Sequence, residues 1–146
     1  MEIKFKPIGV VHSPVKKKGT HRSGPHREHP PVKGELEIYK DYENGLKDVD
    51  GFSHLYVIFA FHKSSDSSLY AYPPSDRQKR GVFATRSPHR PNPVGLTIVK
   101  LIHRQKNILQ VEGLDMIEGT PILDLKPYLN GDVKTDIQTG WLSNQK

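Results

Sequence analysis

No stretch of the 146 residues sustains a 3.6-residue apolar period over three helical turns, so amphipathic helices cannot supply the core. What recurs instead is short runs of β-branched and aromatic residues bounded by Gly, Pro, Asn and Asp. Residues 3–12 alternate loosely and read as a first strand with Pro7 at an edge or bulge. Residues 34–40 alternate Glu35, Leu36, Glu37, Ile38 and read as a strand buried on one side. Residues 41–51 carry the turn dipeptides Asn44-Gly45 and Asp50-Gly51 and read as a turn region with a single helical turn over 42–46. Residues 55–61, LYVIFAF, form the most apolar run and read as the central strand. Residues 81–101 read as a hairpin, followed by strands over 108–114 and 121–126. Six or seven short strands without helices predict an all-β fold, a β-barrel or closed sheet, in one compact domain over 1–130 followed by a polar tail over 131–146. With 12 Gly, 12 Pro and 34% apolar residues, its core is modest and its loops are long.

The middle of the 81–101 stretch is the stiffest loop. Pro88, Pro91 and Pro93 each fix φ near −65° and push Ser87, Arg90 and Asn92 out of the helical region. Arg86, His89, Arg90 and Asn92 are thereby held where little entropy remains to be lost on binding. Either the loop receives an anionic or polar ligand, or it is a rigid surface turn whose arginines are solvated.

Formal net charge is +6 and the sequence pI is about 9.5, which suits a polyanion such as RNA and equally suits simple solubility. Much of this charge lies in two loops. The first, 15–33, has Lys16, Lys17, Lys18, Arg22, Arg27 and Lys33 with almost no apolar residue. His21, His26 and His29 share it, but they lie among like charges with Glu28 as the one nearby acid, so a metal site is rejected. The second, 63–80, sets Tyr70 and Tyr72 among cations, an arrangement that either stacks bases or pins down a long loop. The lack of cysteine excludes disulfides, thiolate metal sites and cysteine nucleophiles. The N-terminal residues have no signal-peptide apolar region and no run approaches a membrane span, so a soluble, cytoplasmic protein without membrane association is expected.

The run Ala84-Thr85-Arg86-Ser87, followed by Arg90-Pro91-Asn92-Pro93 and Gly95, resembles the signature of the TsaA-like (TrmO) family. The resemblance extends through Ser53-His54-Leu55, Phe61-His62, Asp115, Glu118-Gly119-Thr120-Pro121, Asp124 and Lys126-Pro127-Tyr128. It implies an all-β, barrel-like S-adenosyl-L-methionine-dependent methyltransferase that N-methylates the exocyclic amine of threonylcarbamoyladenosine beside the tRNA anticodon, acting as a homodimer. Bacterial members carry a further C-terminal domain, so here either basic loops and a second subunit supply the tRNA surface or the acceptor differs.

The resemblance also implies the site. Cofactor contacts are expected at Arg22, Ser23 and Gly24 in the first basic loop, at His62 and Lys63, at Arg86, at Leu96, and at Asp115, Met116, Ile117 and Glu118. Arg86 would hold the methionine carboxylate, Leu96 the adenine face, backbone groups of 115–118 the adenine edge, and a carboxylate there the ribose hydroxyls. Two departures stand out: the arginine turn of the first loop lacks the family's flanking proline and glutamine, and Lys63 replaces a glutamine. His89 and Arg90 are expected at RNA phosphate, Asp124 and Lys126 in a structural or acceptor-side role, and the proton acceptor stays open. Two other functions remain compatible: a non-catalytic basic barrel that binds RNA or an adenine nucleotide, and a methyltransferase for a non-tRNA acceptor.

Overall fold

A computed structural model describes residues 1–15 and 31–144. Arg22, Ser23 and Gly24, with most of the first basic loop and its three histidines, lie outside the described residues. The chain divides into two units, one of Met1–His62 with Val94–Tyr128 and one of Lys63–Pro93 with Leu129–Lys146.

The first unit is a closed antiparallel barrel. Its strands are β1 (Gly9–His12), β2 (Lys33–Ile38), β3 (His54–Ala60), β6 (Val94–Gln105), β7 (Ile108–Glu112) and β8 (Pro121–Pro127), in the order β1-β2-β7-β6-β3-β8. Closure leaves no free sheet edge. Alternation puts Val11, Leu36, Ile38, Leu55, Val57, Phe59, Val99, Leu109, Val111 and Ile122 inside, where Leu46 joins them from a 3-10 helix, Lys40–Leu46. The β3–β6 register sets Leu55 against Val99, Val57 against Thr97 and Phe59 against Gly95. A Cβ on Gly95 would run into the Phe59 ring, so the signature glycine makes room for an aromatic ring inside the barrel. Irregularities between Ile58 and Phe59, and between Leu101 and His103, bend the wall.

The central strand β3 and the later strands β7 and β8 are where the residue pattern predicts them. The first strand is shorter than predicted. It starts at Gly9, because Pro7 has no N–H to give a ladder and Ile3 and Phe5 stay exposed.

The second unit has a two-stranded ladder, β4 (Tyr70–Ala71) with β5 (Arg80–Gly81), and 3-10 helices at Val82–Ala84, Asn130–Asp132 and Gly140–Asn144. The expected 81–101 hairpin does not form. β5 pairs with β4 and β6 pairs with β3 and β7, so the proline loop joins two strands that are not partners. The β-formers at 82–84 instead make a 3-10 turn, in which the Thr85 amide and hydroxyl both donate to the Val82 carbonyl. The Trp141 indole N–H donates to the Ala84 carbonyl at 2.8 Å, and the Arg80 guanidinium lies 5.0 Å from the Trp141 ring centroid. Among the described residues no helix is long and apolar enough to cross a membrane.

Candidate functional site

In the barrel unit, the turn between β7 and β8 gathers four of the expected residues. Leu114, Met116 and Thr120 are buried, Asp115 and Ile117 are half-buried between them, and Glu118 is exposed. Met116 is 3% exposed and packs in the core, so it can offer a ligand its backbone and not its side chain. Among the described residues, no backbone hydrogen bond engages the amides of Met116 or Ile117. The Ile117 carbonyl accepts from both the amide and the hydroxyl of Thr120, which fixes the turn. Gly119 has φ +84°, a left-handed conformation that glycine adopts without strain, and its amide donates to the Val11 carbonyl at 2.9 Å.

Both carboxylates of this turn are tethered. The Thr97 hydroxyl, buried in β6, donates to Asp115 Oδ1 at 2.6 Å. Glu118 Oε2 accepts the Ser13 amide at 2.7 Å and Oε1 lies 2.8 Å from Nδ1 of His12. The other ring nitrogen of His12 is 2.8 Å from Glu37 Oε1 on β2. A neutral imidazole would turn a lone pair on one of the two carboxylates, so this geometry favours the imidazolium with both nitrogens donating. Hydrogen bonds to Glu37 and then Glu118 accordingly raise the His12 pKa above 6.5, and the His12 and Ser13 hydrogen bonds lower that of Glu118. Leu96 neighbours Thr97 on β6 but faces outward, 54% exposed, and is not a core residue. His62 lies just past β3, exposed.

In the second unit, the proline loop is folded upon itself. Arg90 Nη1 donates to the carbonyls of Thr85 at 2.9 Å and Ser87 at 3.0 Å. His89 Nδ1 lies 3.1 Å from the Ser64 hydroxyl, and its carbonyl accepts the Ser68 amide. Arg86 and Lys63 are exposed, and among the described residues no hydrogen bond or ion pair is found for the Arg86 guanidinium. An exposed guanidinium on a braced loop fits a carboxylate ligand.

On β8, Asp124 and Lys126 alternate with Leu125 and share a face, with Lys126 Nζ 3.0 Å from Asp124 Oδ2. Tyr128 sets its ring edge-on to Tyr56 and His54. His12, Glu37 and Thr97 were not among the expected site residues. Their signal was partial. Glu35 and Glu37 on a half-buried strand invite a cation across the sheet, but the pairing of β1 with β2 cannot be read through the intervening loop.

A family model described as the tRNA-methyltransferase O N-terminal domain matches residues 10–132. The chain is 39% identical over 141 residues to a probable S-adenosyl-L-methionine-binding protein of Pyrococcus abyssi, spanning 94% of this chain and 75% of that one. It is 36% identical over 135 residues to the tRNA (adenine(37)-N6)-methyltransferase of Escherichia coli, covering 86% of this chain and 57% of the relative. Its fold superimposes on the crystal structure of TrmO from Pseudomonas aeruginosa with a TM-score of 0.79 at 31% identity, over 97% of this chain and 63% of that one. The chain therefore spans less than two thirds of the bacterial relatives it resembles.

Proposed function

This chain belongs to the family of the tRNA-methyltransferase O N-terminal domain, and on that footing we propose that it is an S-adenosyl-L-methionine-dependent methyltransferase acting on the N6 nitrogen of an adenosine in tRNA. The observation that carries the reading is the family match over 10–132, a span that contains every expected cofactor contact from Arg22 to Glu118.

The cofactor, when bound, supplies a methyl group on a sulfonium, so the acceptor nitrogen needs placement more than the protein needs a nucleophile. The amides of Met116 and Ile117, engaged by no backbone carbonyl among the described residues, suit the edge of an adenine, and Leu96 suits its face. Asp115 and Glu118, held by Thr97 and His12, suit ribose hydroxyls because their orientation is fixed before a ligand arrives. Arg86 is the cation we assign to the methionine carboxylate, with His62 and Lys63 as further contacts and His89 and Arg90 toward RNA phosphate. We take the acceptor to be threonylcarbamoyladenosine beside the anticodon, whose acylated nitrogen gives up its proton to a carboxylate or imidazole more readily than a plain amine does. Exposed Ile98 and Ile102 on the outer face of β6 support a homodimer, and a tRNA substrate supports a cytoplasmic location.

Calorimetric titration of S-adenosyl-L-methionine into the wild type and into Arg86→Ala tests this. Saturable binding that disappears in a folded Arg86→Ala, followed by methyl transfer to tRNA with and without the threonylcarbamoyl group, is the expected result. A wild type that binds no cofactor, whether or not tRNA is present, removes the methyltransferase reading.

A further inference from the structure

Gly81 has no structural need to be a glycine. Its φ of −62° and ψ of 138° are extended backbone that any residue adopts, and a Cβ built there would meet nothing within 4 Å. Glycine in a strand weakens it, and where no turn or crowding requires one, close approach of a ligand is one of the reasons that favour it. Across the ladder from Gly81 is Tyr70, so open space lies beside the Tyr70 ring.

What surrounds that space is specific. Tyr70 is 52% exposed, Tyr72 64% and Phe83 77%, although Val82, next to Phe83, is buried. Lys79 Nζ stands 4.0 Å from the Tyr70 ring centroid. The neighbouring Ala71–Arg80 pair is already engaged, because Arg80 bonds Asp76 at 2.6 Å and lies over Trp141. Over residues 63–93 there are six basic side chains (Lys63, Arg77, Lys79, Arg80, Arg86, Arg90) against two acidic ones (Asp66, Asp76), so 6 − 2 gives +4 of the chain's +6. Exposed aromatic faces beside cations are what unpaired nucleotides use, the bases stacking and the phosphates pairing with the cations. A protein partner would favour an apolar centre depleted of lysine.

We propose that the β4–β5 hairpin is a stacking platform for unpaired RNA nucleotides, with the gap at Gly81 receiving a base against Tyr70. The proposal rests on the tRNA reading for its partner and on no cofactor-site residue for its geometry.

The probe is an RNA stem–loop with 2-aminopurine in its unpaired loop, read by fluorescence quenching and affinity, alongside cofactor titration of each variant. Wild type quenches the probe, and Tyr70→Phe stays within about twofold of it because the ring is kept. Tyr70→Leu and Gly81→Val each lose about tenfold or more in affinity, while cofactor binding and thermal midpoint hold. Valine is a strand former, so Gly81→Val separates a filled gap from a lost fold. Full affinity in both variants, an equal loss toward fully paired RNA, or a wild type that leaves the probe unquenched overturns the platform. Loss of cofactor binding by the wild type strikes the methyltransferase reading instead and leaves the RNA result standing.

Discussion

Nδ1 of His12 and Oε1 of Glu118 lie 2.8 Å apart although 106 positions separate the two residues in the chain. With Glu37 on the far side of the ring, the imidazolium joins β1, β2 and the turn before β8. That makes one side chain the tie between the start of the barrel and the turn proposed to hold the cofactor.

Stability should therefore depend on pH in a defined direction. The His12 pKa is raised from 6.5, so its contribution is complete below about 6.5 and is lost as pH rises through the raised value. The Glu118 pKa is lowered from 4.5, so its contribution is present above about 4.5 and is lost as pH falls through the lowered value. The thermal midpoint of the wild type should fall as pH rises above about 6.5 and through the raised His12 pKa, and that fall should vanish in His12→Ala. Parallel profiles for the two proteins would show the contact to be energetically silent.

Gly95→Ala should destabilise the barrel by about 1 to 3 kcal/mol, since the new methyl meets the Phe59 ring and the core must shift. Adding Phe59→Leu should return part of that loss, a non-additivity that urea unfolding of the single and double variants will read. Independent, additive losses would mean that the ring is not the obstacle.

Thr97→Val keeps the shape at a buried position and removes the hydroxyl that donates to Asp115. A loss of about 1 to 2 kcal/mol in stability is expected, together with weaker cofactor binding as Asp115 loses the Thr97 hydrogen bond. Equal cofactor affinity in calorimetry would detach Asp115 from the site.

Arg90→Lys tests whether Arg90 acts by charge or by shape. The guanidinium spans the carbonyls of Thr85 and Ser87 with one nitrogen, and an ammonium on a flexible stem does not reproduce that brace. Amide exchange across 85–93 should quicken and cofactor affinity should fall about fivefold. If lysine serves as well as arginine, Arg90 is a surface cation.

Much of this arrangement was legible in the residues. The alternation at Glu35 to Ile38 and the apolar run at Leu55 to Phe61 state a wall with one buried face, and the pattern requires six or so such strands to close. The failure at 81–101 is equally instructive. Val82, Phe83 and Ala84 have the composition of a strand, but the Thr85 side chain bonds back to Val82 and the Val82 amide donates to Leu69, contacts that no local pattern announces. At the site, Asp115 to Glu118 could be named from a resemblance. The residues that hold them could not, because Thr97 reads as a core position and His12 meets Glu118 only once the barrel closes.

The last strand pair has a consequence for synthesis. β1 meets β8 over only two registered positions, Gly9 with Ile122 and Val10 with Pro121, and these join opposite ends of the barrel sequence. A nascent chain can pair β6 with β7 as soon as both have emerged, but the ring has no means of closing until Ile122 leaves the ribosome. Until then the growing sheet has two bare edges, and the interval before β8 arrives is when the chain is most open to pairing with a neighbour.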